Sequence, residues 1–415
     1  MILWRIRGFG LALPLIEQAL YAGSNFVLQI FVAQQNSANA FGAYTIATAI
    51  FFLVAICHQT FLIEPVFVFG DGRFSKHTEG YQLHIIRNWT IKFGVLVAIV
   101  FTICSGLTWL YGSHQISKCL LAYAFAAPSL LHLWLYRRLM LRRRRSDLAV
   151  LSITLYLGIT LLLLGSLFLL KISTAEMVVA VSGAGAWITS FVMQNFGVRE
   201  IGPRNAAAPA QMWAAHYRYG RWSFVSEGVN WAITNIPLLI LPLYASLSSV
   251  ATVRVVSLIF MPLLQIVGVL MMVMLRDLAS QRAEVHRRRR ANQMRALLLI
   301  LSAAYALISA WLSPHLTHVL GPSYRVEGWV VVAAGVGVIF LAGSQVSFAL
   351  LRVFELPRAV FNLNFLALFL MFATWMILQS SHILTIFIAQ AVAWAGCFCA
   401  GLWIVRRCFN ERAID

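Results

Sequence analysis

Four polar residues, Glu17, Tyr21, Ser24 and Asn25, interrupt the apolar run 11–34, LALPLIEQALYAGSNFVLQIFVAQ, at offsets 0, 4, 7 and 8. On a helix those offsets fall within an arc of roughly 100°, so the four side chains share one face. A carboxylate at bilayer depth costs about 3 kcal/mol on insertion scales, so it faces a cavity, pairs, or holds a proton. Facing a cavity, Glu17 can take up and release a proton as the site opens to either side. Ser24 and Asn25 can offer hydrogen bonds to a hydroxyl-rich ligand, although amides and hydroxyls at such positions also glue helices together. The pattern returns 210 residues later in YGRWSFVSEGVNWAITNIPLLILPLY, where Glu227, Trp231, Thr234 and Asn235 answer Glu17, Tyr21, Ser24 and Asn25.

A second group lies in CHQTFLIEPVFVFG, residues 57–70, which gathers His58, Gln59, Thr60 and Glu64 ahead of Pro65. The proline removes a backbone donor and frees a carbonyl. His58 can titrate near neutral pH, but a lone histidine is more often structural. Glu64 sits near the predicted cytoplasmic edge, within reach of Arg73 or another basic residue of that side. With Glu17 and Glu227, His58 and Glu64 complete the candidates for proton coupling. Arg254, about one turn inside the eighth apolar run, either snorkels to the surface or supplies positive charge to a cavity, and Lys92 offers the same choice in the third run. No Walker motif, zinc spacing or nucleophile elbow is present, so neither a catalytic centre nor a metal or cofactor site is expected.

The elements that carry these residues are membrane helices. The 415-residue chain is 60% hydrophobic and only 11% charged, too apolar for a water-soluble globule of its length. Apolar runs predict twelve spans, at about 9–34, 40–68, 88–111, 117–136, 148–170, 174–196, 219–245, 249–275, 296–315, 328–351, 359–380 and 383–405. The formal charge of +18 orients these spans and meets anionic headgroups; it does not indicate nucleic acid. With the N-terminus inside, all of the 32 Lys and Arg lie on the cytoplasmic side except Lys118, Lys171 and Arg325 outside and Lys92 and Arg254 within spans. Both termini are therefore expected in the cytoplasm.

The expected class is an all-α polytopic membrane protein of two pseudo-symmetric six-helix lobes, residues 1–198 and 219–415, joined by a cytoplasmic linker at 199–218. In or beside that linker, Met212, Trp213 and Tyr217 suggest a short interfacial helix. The basic stretches RRLMLRRRR and HRRRRANQMR follow the fourth and eighth spans and read first as headgroup anchors, with attraction for a lipid-linked diphosphate as the sharper alternative. Six cysteines without CxxC or Cys/His spacing point to neither disulfides nor zinc. The N-terminus lacks a small-residue cleavage site and reads as part of the first span. The outer loops are short, which argues against an outward-facing polymerase or ligase.

The stretch from Leu11 to Gly70 resembles the Wzx-type oligosaccharide flippases of the multidrug/oligosaccharidyl-lipid/polysaccharide (MOP) exporter superfamily. ALYAGSNFVLQIFVAQ, AFGAYTIA and HQTFLIEPVFVFG carry the resemblance, and the span count and half-repeat extend it loosely over the chain. The resemblance implies a MATE-like pair of six-helix lobes in the bacterial inner membrane, with no covalent chemistry. It implies translocation of a polyprenyl-diphosphate-linked oligosaccharide for O-antigen or exopolysaccharide export, driven by an ion or proton gradient. The cavity is then assigned to Glu17, Tyr21, Ser24, Asn25, Glu227, Trp231, Thr234, Asn235 and Arg254. Membrane lipids, a polysaccharide polymerase and glycosyltransferases are the implied partners. Few basic residues lie inside the spans, which leaves a diphosphate short of contacts. The rival functions are a cation-coupled multidrug exporter of the same superfamily and a membrane-embedded sugar acyltransferase, the latter needing His58 or His132 as a base.

Overall fold

The computed structural model describes residues 2–70, 85–143, 145–197, 212–281, 283–320, 324, 326–354, 356–378 and 382–412. Arg73, Lys76, Arg199, Arg204 and Arg325, and the linker up to Gln211, lie outside the described residues. Among those described, secondary structure is entirely helical. Helix α1 is Ile2–Gln35. Helix α2, Ala38–His58, passes through a π-helical turn at Gln59–Ile63 into α3, Glu64–Gly70. A second π turn, Ile85–Trp89, leads into α4, Thr90–Leu110. There follow α5 His114–Arg142, α6 Ser146–Leu169, α7 Ala175–Gly197 and α8 Met212–Ile240. The chain ends with α9 Leu247–Ser280, α10 Glu284–Leu320, α11 Gly328–Val353, α12 Pro357–Leu378 and α13 Ile383–Arg412.

Eleven of the described helices, α2 and α3 counted together, are long and apolar enough to cross a membrane. Helix α1 is long enough at 34 residues, but its polar stripe keeps it out of that set. Large side chains such as Ile91, Val95, Ile99 and Ile103 stand exposed along α4, as expected of a face that meets acyl chains rather than water.

Two expectations are corrected. The fourth span does not stop at 136; α5 continues to Arg142 and takes the first arginines of the basic stretch into the helix. The stretch HRRRRANQMR forms the helical start of α10. Met212, Trp213 and Tyr217 form no separate interfacial helix but open the continuous α8, with Met212 buried among Ile63, Leu135 and Met193.

The chain divides into two compact units, Met1–Gly228 and Val229–Asp415, with the division falling inside α8. In the first, α5 is the hub and packs on α2, α4, α6 and α7. Small residues allow the approach: a Cβ on Gly183 would lie 2.5 Å from the Ala126 Cα, and Ser129 Oγ donates to the Gly183 carbonyl at 2.9 Å. Helices α4 and α5 exchange bonds, Ser105 Oγ to the Ser117 carbonyl at 2.8 Å and Ser117 Oγ to the Ser105 carbonyl at 2.9 Å.

In the second unit α11 is the hub, against α9, α10, α12 and α13. Gly337 and Gly401 there bring α11 and α13 together, with Cβ positions 3.4 Å from the Ala391 Cα and 3.1 Å from the Ser347 Cβ. Helix ends recur at the spacing of the polar stripes: Gly70 and Ser280, and Leu110 and Leu320, are each 210 positions apart.

Candidate functional site

Glu17 is fully buried, and its partner is Arg137. The α5 face that holds Arg137 carries Ser129, Leu133, Tyr136 and Met140, all buried. Helical periodicity places residue 137 beside them, so the guanidinium enters the interior with its neighbours. Arg137 Nε donates to Glu17 Oε1 at 2.6 Å, and Nη2 donates to the same oxygen. Glu17 Oε2 is buried and has no hydrogen-bond partner among the described residues. The guanidinium carbon of Arg137 lies 4.1 Å from the centre of the Tyr21 ring, close enough for a cation–π contact. One residue on, Arg138 Nη2 reaches Gln18 Oε1 at 3.5 Å. Tyr21 packs against a buried cluster of Leu133, Ile153, Tyr156 and Ala186, from α5, α6 and α7.

Of the other residues of the first stripe, Ser24 turns its hydroxyl to the helix itself, and Asn25 takes part through its backbone. Ser24 Oγ donates to the Tyr21 carbonyl at 2.8 Å, and the Asn25 carbonyl accepts from Gln29 Nε2 at 3.2 Å. Along α8, Glu227 and Trp231 are half-buried, Thr234 is exposed and Asn235 is buried. Asn235 Nδ2 donates to the Trp231 carbonyl at 3.0 Å, and Thr234 Oγ1 reaches the Asn230 carbonyl at 3.4 Å. Arg254 is half-buried on α9, and Lys92 stands 5.6 Å from the centre of the Trp89 ring.

The group around Pro65 forms a second locus, within the first unit. In an α-helix the Phe61 carbonyl would bond to the N–H of residue 65, which proline lacks. His216 Nδ1, from the start of α8, lies 2.6 Å from that carbonyl oxygen. A carbonyl only accepts, so Nδ1 carries the proton. Four residues further, Gly220 brings α8 against the π turn: a Cβ there would meet Phe61 Cδ1 at 2.6 Å and the Thr60 carbonyl oxygen at 2.9 Å. Glu64 accepts from Gln59 Nε2 at 3.1 Å and from Ser223 Oγ. Arg73, the basic partner named for it from the sequence, lies outside the described residues. Trp89 and Trp213 stack nearly parallel, with centroids 4.5 Å apart.

His58 is fully buried between Phe93 and Trp134, with ring centroids at 5.3 and 6.4 Å. Neither of its ring nitrogens has a hydrogen-bond partner among the described residues. His132 Nε2 accepts from Gln194 Nε2 at 2.8 Å. Among the described residues, no cluster of three or more His, Cys, Asp or Glu could hold a metal ion.

Sequence reasoning missed Arg137, Arg138, His216 and Ser223. The register of α5 would have shown Arg137, had the helix not been ended at the first arginine.

No protein family and no curated protein matches the sequence. Solved structures do match in shape. A multidrug resistance MATE family transporter of the MOP superfamily, in its inward-facing conformation, matches with a TM-score of 0.77 at 13% identity over 95% of each chain. A MOP superfamily transporter from Pyrococcus furiosus, described as having a binding pocket of reverse polarity, matches at 0.67 and 12% identity over 96% of this chain and 94% of its own. A mutant of the Vibrio cholerae MATE transporter VcmN matches at 0.64 and 15% identity over 97% and 95%. At such identities the likeness is one of fold: the chain is an all-α, multi-pass membrane protein built like the MATE transporters of the MOP superfamily.

Proposed function

We propose that the chain is a flippase of the bacterial inner membrane that carries a polyprenyl-diphosphate-linked oligosaccharide between leaflets by alternating access, for export of a surface polysaccharide. The observation that supports this reading is the buried Glu17–Arg137 pair inside a transporter fold. A buried pair is strongly destabilised when one partner loses its counter-charge. It can therefore be opened in two balanced ways: a proton neutralises Glu17, or an anionic group of the substrate gives Arg137 a second acceptor. A diphosphate is such a group, and Arg137 with Arg138 supplies the cationic contacts that the apolar spans otherwise lack. Alternating access requires only that proton and substrate favour different conformations. Glu227 and Glu64 are further coupling candidates, and a polymerase and glycosyltransferases are the proposed partners.

The experiment is deletion of the gene followed by lipid analysis. Lipid-linked oligosaccharide should accumulate on the inner leaflet and surface polymer should disappear; normal surface polymer would refute the flippase reading.

A second reading has a specific observation in its favour, because two structural neighbours are described as multidrug resistance transporters. On that reading the substrate is a small molecule expelled in exchange for a cation. Dye efflux by the purified chain in vesicles, without any effect of gene loss on lipid-linked sugars, would favour it over the flippase.

A further inference from the structure

Pro237 lies inside the last turn of α8. It has no N–H to give the Ile233 carbonyl and its ring crowds that oxygen, so the helix bends there and stays pliable unless another group holds the carbonyl. Ile233 is buried in the core of the second unit. A side chain from a different helix serves it: Gln390 of α13, itself half-buried, donates from Nε2 to the Ile233 oxygen at 3.3 Å.

The surroundings fix this contact in place. Ala389 and Ala393, next to Gln390 and one turn away on α13, are buried in the same cluster as Ile233, together with Leu263 and Val267 of α9. Their small side chains suit a close approach of helices. Beyond the proline the chain tightens into a 3₁₀ turn, Leu241–Leu243, and the Tyr244 ring meets that of Trp375 of α12 with centroids 5.9 Å apart. The bend is thus held on both sides, by Gln390 before Pro237 and by Trp375 after it.

What this grip governs lies on the other side of the helix. At 100° per residue, Trp231, Thr234 and Asn235 stand about 100–160° round from Ile233. While Ile233 is packed in the core, these residues of the second polar stripe are turned away from it. The Asn235 amide donates to the Trp231 carbonyl and the Thr234 hydroxyl reaches the Asn230 carbonyl. Both bonds stay within α8; the bond from Gln390 ties the turn to another helix.

We propose that Gln390 is a positioning residue for the transported substrate: by holding the Ile233 carbonyl it fixes the bend at Pro237, and with it the direction in which Trp231, Thr234 and Asn235 face. The proposal rests on the reading of that stripe as part of the transport cavity. Gln390 acts through the backbone of α8 and touches no substrate.

The test uses the full chain with spin labels at Asn230 and Trp403, both exposed, which report how the bent segment of α8 lies against α13. The wild type should give one narrow distance, and Gln390→Leu should broaden or shift it. In a Pro237→Ala background Ile233 regains its helical donor, so adding Gln390→Leu should leave the distance unchanged. Transport is read in vesicles with lipid-linked oligosaccharide extracted from cells lacking the gene. Gln390→Leu should raise KM by about three- to tenfold, the worth of one hydrogen bond, with kcat kept. It should have no such effect in the Pro237→Ala background. A purely structural loss would instead lower kcat at unchanged KM. An unshifted narrow distance in Gln390→Leu, an equal effect with and without Pro237, or a fall in kcat alone would overturn the proposal. The label distances do not involve the substrate, so a wild type that keeps the narrow distance but moves no oligosaccharide refutes the flippase and leaves the clamp standing; ethidium efflux then supplies the KM that decides the positioning role.

Discussion

Arg137 meets Glu17 with two N–H groups on one carboxylate oxygen and leaves the other oxygen buried without a partner among the described residues. The arrangement neutralises both charges yet keeps one acceptor open, so removing either residue strands the other. Glu17→Met and Arg137→Met should each lower stability by about 3–5 kcal/mol, and the double variant should recover most of that loss. Unfolding in detergent measures all three. A coupling energy below about 1 kcal/mol in the cycle would mean that the pair is not holding α1 to α5.

The contact of His216 with the Phe61 carbonyl should be worth more than an ordinary surface bond, because Pro65 denies that carbonyl its α-helical donor. His216→Phe keeps a ring beside Phe69 but removes the N–H. A loss of about 1–3 kcal/mol is expected, the usual cost of a buried acceptor left bare. An unchanged unfolding midpoint would show that another group serves the carbonyl.

Glycine substitutions separate close approach from helix propensity. Gly183→Ala would drive a methyl group into the Ala126 backbone and should cost about 1–3 kcal/mol. Gly158 has nothing within 4 Å of its Cβ position, so Gly158→Ala should be neutral or stabilising by up to about 1 kcal/mol. Equal effects at both sites would contradict the packing described for α5 and α7.

His58 distinguishes a proton carrier from a filler of space. Its ring is buried among aromatic neighbours without a hydrogen-bond partner among the described residues, and an apolar ring of similar shape should replace it at little cost. His58→Phe should fold at least as well as the wild type and retain transport. If transport fails while the fold survives, His58 joins the coupling machinery, and the His58→Ala/His132→Ala pair then tests for a catalytic base.

The stripe at Glu17 was legible because one carboxylate and its neighbours stand out at helical spacing in an apolar run. The repeat was legible for the same reason, and helix ends 210 positions apart accompany it. Arg137 was not read as interior because a hydropathy argument ends a span at the first arginine, whereas α5 runs on until Arg142. The weakness of α1 as an apolar span has the converse origin: the side chains that make it interesting also lower its hydropathy. Pro65 announced a broken helix, but nothing local could name the donor that repairs it.

That donor lies 155 positions downstream, and a chain is made from one end to the other. When residues 59–63 first reach the bilayer, the histidine that will serve them has not yet been translated. The Phe61 oxygen must rely on water or a passing hydroxyl until helices α3 to α7 and the opening turns of α8 emerge from the ribosome. Completion of the first unit is thereby tied to synthesis of the helix that begins the second, and nascent chains stopped short of residue 216 should be recognised by quality-control proteases as unfinished.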